Sequence, residues 1–375
     1  MDRFSKHEYL RSFAVDRRSF IKKTALAGMA GAAAGTGFAA PAIAKGLIKW
    51  TMTTTWPKNF PGLGTGAAKI AEFITKASDG RLTVDVVGAG EIVPAFDAID
   101  AVGNGSVEMG HGASYYWKGK APAAQFISSI PFGLVAQEQN AWIYYGGGQE
   151  LCDEVYATMG CKFFSGGNSG TQMGGWYNRE LKSTADFKGL KLRMPGLGGE
   201  VARAAGATVV NIPGGELLTS MQSGTIDALE WVGPYNDLAF GFHKAAKYYY
   251  YPGWHEPNAI LDCFINLKAW NALPEDLKEI VRLACQAGTV NMTSEMMARS
   301  GTALQKLKNE YKIDIRPFPK DLLKALKDTS DKVIGDIAAS DPLSRKILDS
   351  LRKFQAEQTA WTNIAERAAL DARDL

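Results

Sequence analysis

The sequence predicts an α/β protein of two lobes closed by long helices. Three observations carry that reading. Helix and strand patterns alternate from Trp50 to about Leu267, the alternation starts afresh near Asp186, and from Pro274 onward the pattern is nearly all helical. The 375 residues also exceed the roughly 100–200 of a usual single core. A hydrophobic content of 46% with 22% charged residues describes an ordinary soluble globular chain.

Before the fold begins, residues 1–44 stand apart. Asp16-Arg17-Arg18-Ser19-Phe20-Ile21-Lys22 is a twin-arginine stretch, followed by an Ala/Gly-rich run from Thr24 to Ala40 and by small residues at Ala42-Ile43-Ala44. A spanning helix needs about 20 strongly apolar residues. This run is too short and too glycine-rich, so a cleaved export signal is the expectation rather than a membrane anchor.

The first set of elements opens near Trp50. Ile70, Phe73 and Ile74 share one helical face between Ala67 and Ala77, and Asp79-Gly80 stops that helix. Leu82-Thr83-Val84-Asp85-Val86 alternates as a half-buried strand does. A helix over Ala95 to Val102 and a strand over Val107 to Gly110 follow, a βα rhythm that points to a mostly parallel sheet. In the second set Phe187 to Met194 reads as a strand halted by Pro195-Gly196. A helix from Glu200 to Ala205, a strand at Thr208-Val209-Val210 and a helix from Gly215 to Ser223 come next. Leu261 to Leu267 is an apolar strand, and Ile313-Asp314-Ile315 is the short strand candidate among the final helices.

Charge and cysteine content exclude several functions. Residues 1–44 hold seven of the 42 Lys/Arg and three of the 39 Asp/Glu, which leaves 35 basic and 36 acidic residues, a net of −1. No basic cluster with interleaved aromatics remains, so nucleic acid is not an expected partner. Cys152, Cys161, Cys263 and Cys285 form no C-x-x-C pair, and zinc or iron–sulfur sites lack clustered ligands. Export permits a Cys152–Cys161 bridge, but buried free thiols are the preferred expectation.

Gly62-Leu63-Gly64-Thr65-Gly66-Ala67 matches a loose dinucleotide fingerprint, yet Trp56 to Pro61 separates it from the preceding strand and Asp85 falls mid-strand. The chain after residue 44 has only His111, His243 and His255, and no G-x-S-x-G elbow, so no nucleophilic triad stands out. His255-Glu256 is an adjacent pair. Neighbours on a strand point to opposite faces, so a structural or ligand-orienting role is expected over acid–base catalysis. Arg193 closes a strand, where a guanidinium can grip a carboxylate with two parallel hydrogen bonds or form a surface salt bridge. Gln172 lies in a glycine-rich segment and offers an oxygen that suits a hard cation. Tyr115 and Tyr116 follow a strand end, where they would line a pocket or pack in a core. Glu230, between Leu229 and Trp231, is left open among catalysis, binding and element termination.

These segments together resemble the extracytoplasmic solute-binding proteins of TRAP transporters, in the branch for 2-oxo and 2-hydroxy monocarboxylates such as pyruvate and lactate. The residues that carry the likeness are "LKLRMPGLGGEVARAAGATVVNIPGGELLTSMQSGTIDALEWVGPYND" and "GWHEPNAILDCFINLKAWNALP", with the export signal. The resemblance implies a non-enzymatic periplasmic protein, exported by the twin-arginine pathway, that hands a small organic acid to TRAP membrane permease subunits. It implies a periplasmic-binding-protein-like fold with hinge strands near Phe163–Gly170 and Asn258–Phe264. Lobe I would be 45–167 with 258–300, lobe II 168–257 with 301–340, and 341–375 a helical extension for homodimerisation. Arg193 would hold the substrate carboxylate, with Gln172, Trp231, Tyr115, Tyr116, Asn236, His255 and Glu256 around it. A metal ion, sodium first and calcium second, would be bound by the Gln172 side chain, the Glu230 carboxylate and the Trp231 carbonyl. The competing readings are an exported enzyme acting on a small organic acid and a TRAP receptor for another acid, such as a dicarboxylate.

Overall fold

The structure is a computed structural model that describes residues 46–375, so the twin-arginine stretch, the apolar run and Ala42-Ile43-Ala44 lie outside the described residues. Two mixed sheets organise it. The strands are β1 (Ile48–Thr54), β2 (Leu82–Val87), β3 (Met109–Gly112), β4 (Cys161–Asn168), β5 (Gly175–Tyr177), β6 (Lys191–Arg193), β7 (Thr208–Val210), β8 (Ala228–Leu229), β9 (Tyr248–Tyr251), β10 (Ile260–Asn266) and β11 (Asp314–Pro317). The first sheet runs β2-β1-β3-β10-β4 and the second β11-β9-β5-β8-β6-β7.

The expectation of mostly parallel sheets is corrected. β1 is parallel to β2 and β3, but β10 is antiparallel to β3 and β4. In the second sheet β6 is parallel to β7 and β8 and β9 to β11, whereas β5 is antiparallel to β8 and β9. The reason is topological. β4 carries the chain out of the first sheet into β5, and β9 carries it back into β10, so each outgoing strand lies beside a returning one.

Local chemistry explains the shifted boundaries. The strand expected over Phe187 to Met194 shrinks to β6 because Ser183 caps a short turn over Thr184–Phe187. The Ser183 hydroxyl accepts from Ala185 N at 3.3 Å, and Asp186 accepts from Lys182 N and Ser183 N at 2.8 Å each. Phe187 and Leu190 are buried from that turn rather than from a strand.

Seven helices matter here: α1 (Leu63–Ala77), α2 (Gly196–Ala204), α3 (Pro234–Phe240), α4 (Glu275–Asn309), α5 (Lys320–Ala339), α6 (Pro342–Ile364) and α7 (Glu366–Arg373). At 35 residues α4 is about 52 Å long at 1.5 Å per residue. Its inner face buries Leu277, Val281, Ala284, Gly288, Met292 and Met296 at three- and four-residue spacing, and it packs on β4, α1 and α3. Glu275 and Asp276 at its start and Lys306 and Lys308 at its end complement the helix dipole. α4 leads from the first sheet to β11 in the second, the third connection between lobes. α6 then returns: Ile347, Leu348 and Leu351 join Trp142 and Val155 in a first-lobe core, and Trp142 Nε1 donates to Ser350 Oγ at 3.1 Å.

One apolar cluster draws on both lobes, joining Trp56, Phe60, Leu63 and Tyr115 of the first to Leu229, Trp231 and Phe242 of the second. The jaws are therefore shut in this structure. All four cysteines are free and buried, which bears out the thiol expectation over a Cys152–Cys161 bridge.

Candidate functional site

The polar cluster is assembled from strand ends, where ligands of α/β sheets bind. β6 ends at Arg193, and its parallel neighbour β8 pairs Leu229 with Arg193, so Glu230 and Trp231 emerge beside the guanidinium. Glu230 N donates to Arg193 O at 3.2 Å, which locks the two ends together. The β4–β5 crossing supplies Gln172 and the β9–β10 crossing supplies His255 and Glu256. From the first lobe come Trp56, just past β1, and Tyr115 and Tyr116 in the turn after β3. Gly196 shows why "RMPG" ends as it does. Its φ is +59°, and a Cβ there would stand 3.0 Å from Tyr115 Cβ, while one on Gly198 would meet His255 Cβ at 2.7 Å.

Arg193 and Glu230 are each 1% exposed. Arg193 Nη1 bonds the Glu230 carboxylate and donates to its backbone carbonyl at 2.7 Å, Nε donates to Ile212 O at 3.2 Å, and Nη2 has no partner. The guanidinium lies 5.2 Å from the Trp231 ring. His255 Nε2 stands 3.0 Å from the other Glu230 oxygen. Gln172 Nε2 donates to Ser169 Oγ at 3.0 Å and to Glu256 Oε2 at 2.8 Å, so the amide is oriented with Oε1 buried and unpartnered. Burial, reinforced by the Glu230 charge, pushes the Glu256 carboxyl well above its usual range. Burial likewise raises the Tyr115 hydroxyl well above its ordinary value and Tyr116 to about 12, so both phenols are neutral donors.

Trp56, Tyr115, Tyr116, Gln172, Trp231 and Leu261 line a closed cavity of about 10 Å³. That is room for roughly one water. Larger grooves of about 550 and 840 Å³ run along the flanks of α4, but they are open surface features without such a buried polar cluster.

Several placements differ from the sequence reading. His255 and Glu256 face one cluster, because residues 252–259 form a loop and strand alternation does not apply. Glu230, His255 and Glu256 each offer a ligand atom, all within 4.8 Å of one another, a cluster that sequence spacing hid. Asn236 is placed elsewhere: its Nδ2 donates to Pro61 O at 2.7 Å and ties α3 to the first lobe. Trp56, Ser169 and Leu261 were missed. Trp56 carried a usable signal, an aromatic just beyond a strand end. It donates to His111 Nδ1 at 2.8 Å while His111 Nε2 faces Gly166 O at 3.2 Å. Burial lowers His111 to about 4, so it is neutral and fixed in one tautomer. The glycine-rich start of α1 serves packing, since a Cβ on Gly66 would meet Met292 Cε at 2.3 Å.

The donor set fits a hard cation. Gln172 Oε1 is an orphaned buried carbonyl oxygen on an amide bonded to Glu256, and the Glu256 carboxylate clusters with that of Glu230.

The profile described as bacterial extracellular solute-binding protein, family 7, matches residues 52–341. A monocarboxylate 2-oxoacid-binding periplasmic protein of Nostoc sp. (strain PCC 7120) is 40% identical over 319 residues, 85% of this chain and 87% of the relative. A TRAP periplasmic solute-binding protein from Pseudoalteromonas atlantica T6c, crystallised with sodium and pyruvate, is 43% identical with a TM-score of 0.84, over 86% of this chain and 98% of that one. Another from Colwellia psychrerythraea, with calcium and pyruvate, is 45% identical with a TM-score of 0.84, over 87% and 99%.

Proposed function

This chain belongs to the bacterial extracellular solute-binding proteins, family 7, and from that premise we propose that it captures a small 2-oxo or 2-hydroxy monocarboxylate together with a metal ion. Pyruvate is the first candidate, since pyruvate accompanies sodium in one relative and calcium in another. The observation that carries the reading is a pair of orphaned buried atoms: Gln172 Oε1, on the amide that bonds Glu256, and Arg193 Nη2, on the guanidinium that bonds Glu230. One is an acceptor that a cation satisfies, and the other is a donor that a carboxylate satisfies.

In this proposal Gln172, Glu230 and the Trp231 carbonyl hold the ion, and the ion supplies a positive charge for the substrate oxygens to share. Arg193 turns from Glu230 toward the substrate carboxylate. Ser169 and Glu256 keep the Gln172 amide facing inward, and Tyr115 and Tyr116 donate from the first lobe. A monovalent cation and a monocarboxylate enter as a neutral pair, so the charge balance of the buried site is kept.

Delivery to a TRAP membrane permease and release after twin-arginine export complete the proposal, supported by Arg17-Arg18 and Ala42-Ile43-Ala44. A homodimer through the C-terminal helices is part of it too, supported by Trp361 at 60%, Ile364 at 73% and Leu370 at 50% exposure. The test is mass spectrometry of the small molecule released from protein purified without added ligand, with metal analysis of the same sample. A 2-oxo or 2-hydroxy acid with about one metal per chain is expected; a dicarboxylate, or an acid without metal, would refute the reading.

A further inference from the structure

Among the described residues, four that are not glycine have positive φ. Asn59, Asp79 and Lys312 are polar, and the fourth is Phe132, at +56°. A bulky ring in that region is strained and persists only where its surroundings hold it there. Phe132 is held from four directions. It lies in a strap, residues 129–135, that leaves the first-lobe core between the buried Ile127 and Leu134. Its ring packs on the second-lobe cluster of Trp254, Phe318 and Leu322, stacked on the Trp254 indole with centres 5.8 Å apart and planes 29° apart. Its N–H donates to Trp254 O at 2.8 Å. Its carbonyl accepts from Gln355 Nε2 of α6 at 3.0 Å, and Lys327 Nζ of α5 stands 5.9 Å from the ring centre. Two residues on, Leu134 O accepts from Asn258 Nδ2 at 2.7 Å. The strap therefore grips the loop 252–259 near both its ends, at Trp254 and at Asn258.

Between those two grips lie His255 and Glu256. His255 Nε2 stands 3.0 Å from Glu230, Glu256 Oε2 accepts from Gln172 Nε2 at 2.8 Å, and Gly253 N donates to Gln172 O at 3.0 Å. We propose that Phe132 is a positioning residue for the ligand site: stacked on Trp254, it fixes the loop that aims His255 and Glu256, and through Glu256 it orients the Gln172 amide. Glycine is the default residue at positive φ, and one stands next door at Gly133. The strap gives that conformation to Phe132 instead, which turns an aromatic ring from one lobe onto the other. The strap is rooted in the first-lobe core and its target lies on the second, so the aim of the loop is tied to the shut cleft. α6 takes part from behind through Gln355. This deepens the ligand reading above and rests on it for the choice of pyruvate as probe.

Two measurements on the full chain test it. The first is calorimetry of pyruvate with sodium present. Phe132→Leu keeps apolar volume against the second-lobe core but cannot lie flat on the indole, so it should fold and bind about fivefold more weakly. Phe132→Tyr keeps the ring and should bind within about twofold of wild type. In a Glu256→Ala background, where the Gln172 amide has lost that acceptor, F132L should add little further loss. The second measurement is hydrogen exchange without ligand, in which F132L should exchange several-fold faster across residues 253–259 and no faster in α1. Wild-type affinity in F132L, failure of F132Y to restore binding, or a full F132L effect in the Glu256→Ala background would overturn the proposal. Unchanged exchange across 253–259 would overturn it too, and that arm decides even if wild type binds no pyruvate, a result that would by itself refute only the choice of ligand.

Discussion

Arg193 and Glu230 bind each other in a place where neither can meet water, which sets how they respond to mutation. Removing one partner of such a pair typically costs about 3–5 kcal/mol, because the other charge stays buried alone. Arg193→Ala is therefore expected to lose pyruvate binding and also to unfold at markedly lower denaturant. Arg193→Lys keeps the charge but not the planar fork, so it should retain most of the stability while binding at least tenfold more weakly; calorimetry beside urea titrations separates the two effects. Asp237 makes a second prediction. It accepts from Trp176 Nε1 at 2.9 Å and Tyr249 OH at 2.7 Å, and burial raises its carboxyl to about 7. Its native pKa lies above its unfolded one, so between about pH 4 and 7 the native state binds the extra proton and stability falls as pH rises. Asp237→Asn removes that slope. Relative to wild type, the variant should gain on the order of a few kcal/mol from pH 4 to pH 8, and an offset constant with pH would count against a buried protonated Asp237.

At the scale of elements, the latch between α3 and the loop before α1 combines one hydrogen bond, Asn236 Nδ2 to Pro61 O, with the stacked rings of Phe60 and Phe240, 4.1 Å apart. A net loss of about 1 kcal/mol on Asn236→Ala should favour the open form and weaken ligand affinity roughly fivefold, with little change in the pH dependence of binding. Scattering from the unliganded variant should show a larger radius of gyration than wild type; identical profiles would assign Asn236 another role. Much of the element order was legible. Thr208–Val210 matches β7, and the strand read over Leu261 to Leu267 lies within a residue of β10, because their apolar runs have clear ends. What was not legible depends on pairing partners far away in sequence. Strand direction is set by the two crossings between sheets, and the shared aim of His255 and Glu256 is set by a loop whose shape no local periodicity encodes. Arg193 could be picked out because it closes a strand, and Glu230 and Trp231 only through the family resemblance, whereas Ser169 in the crossing and Leu261 in β10 look like any of their neighbours until the jaws close over them.

For the whole molecule, the two-lobe plan followed from patterns that restart midway along the chain, but the shut cleft did not. Closure depends on Trp56, Phe60 and Trp231 meeting across it, with Trp56 and Trp231 ring centres 6.2 Å apart and Phe60 and Trp231 6.5 Å apart. A ligand that bridges both lobes stabilises this shut form by mass action, about 2.7 kcal/mol at a hundredfold excess over Kd. The most direct test of the account is calorimetric titration of pyruvate into metal-depleted protein, alone and with sodium or calcium restored, in wild type and in Glu230→Gln. Strong binding is expected only when a cation is present, with loss of both cation and pyruvate binding in Glu230→Gln. Equal pyruvate affinity with and without metal, or a Glu230→Gln variant that binds like wild type, would contradict it.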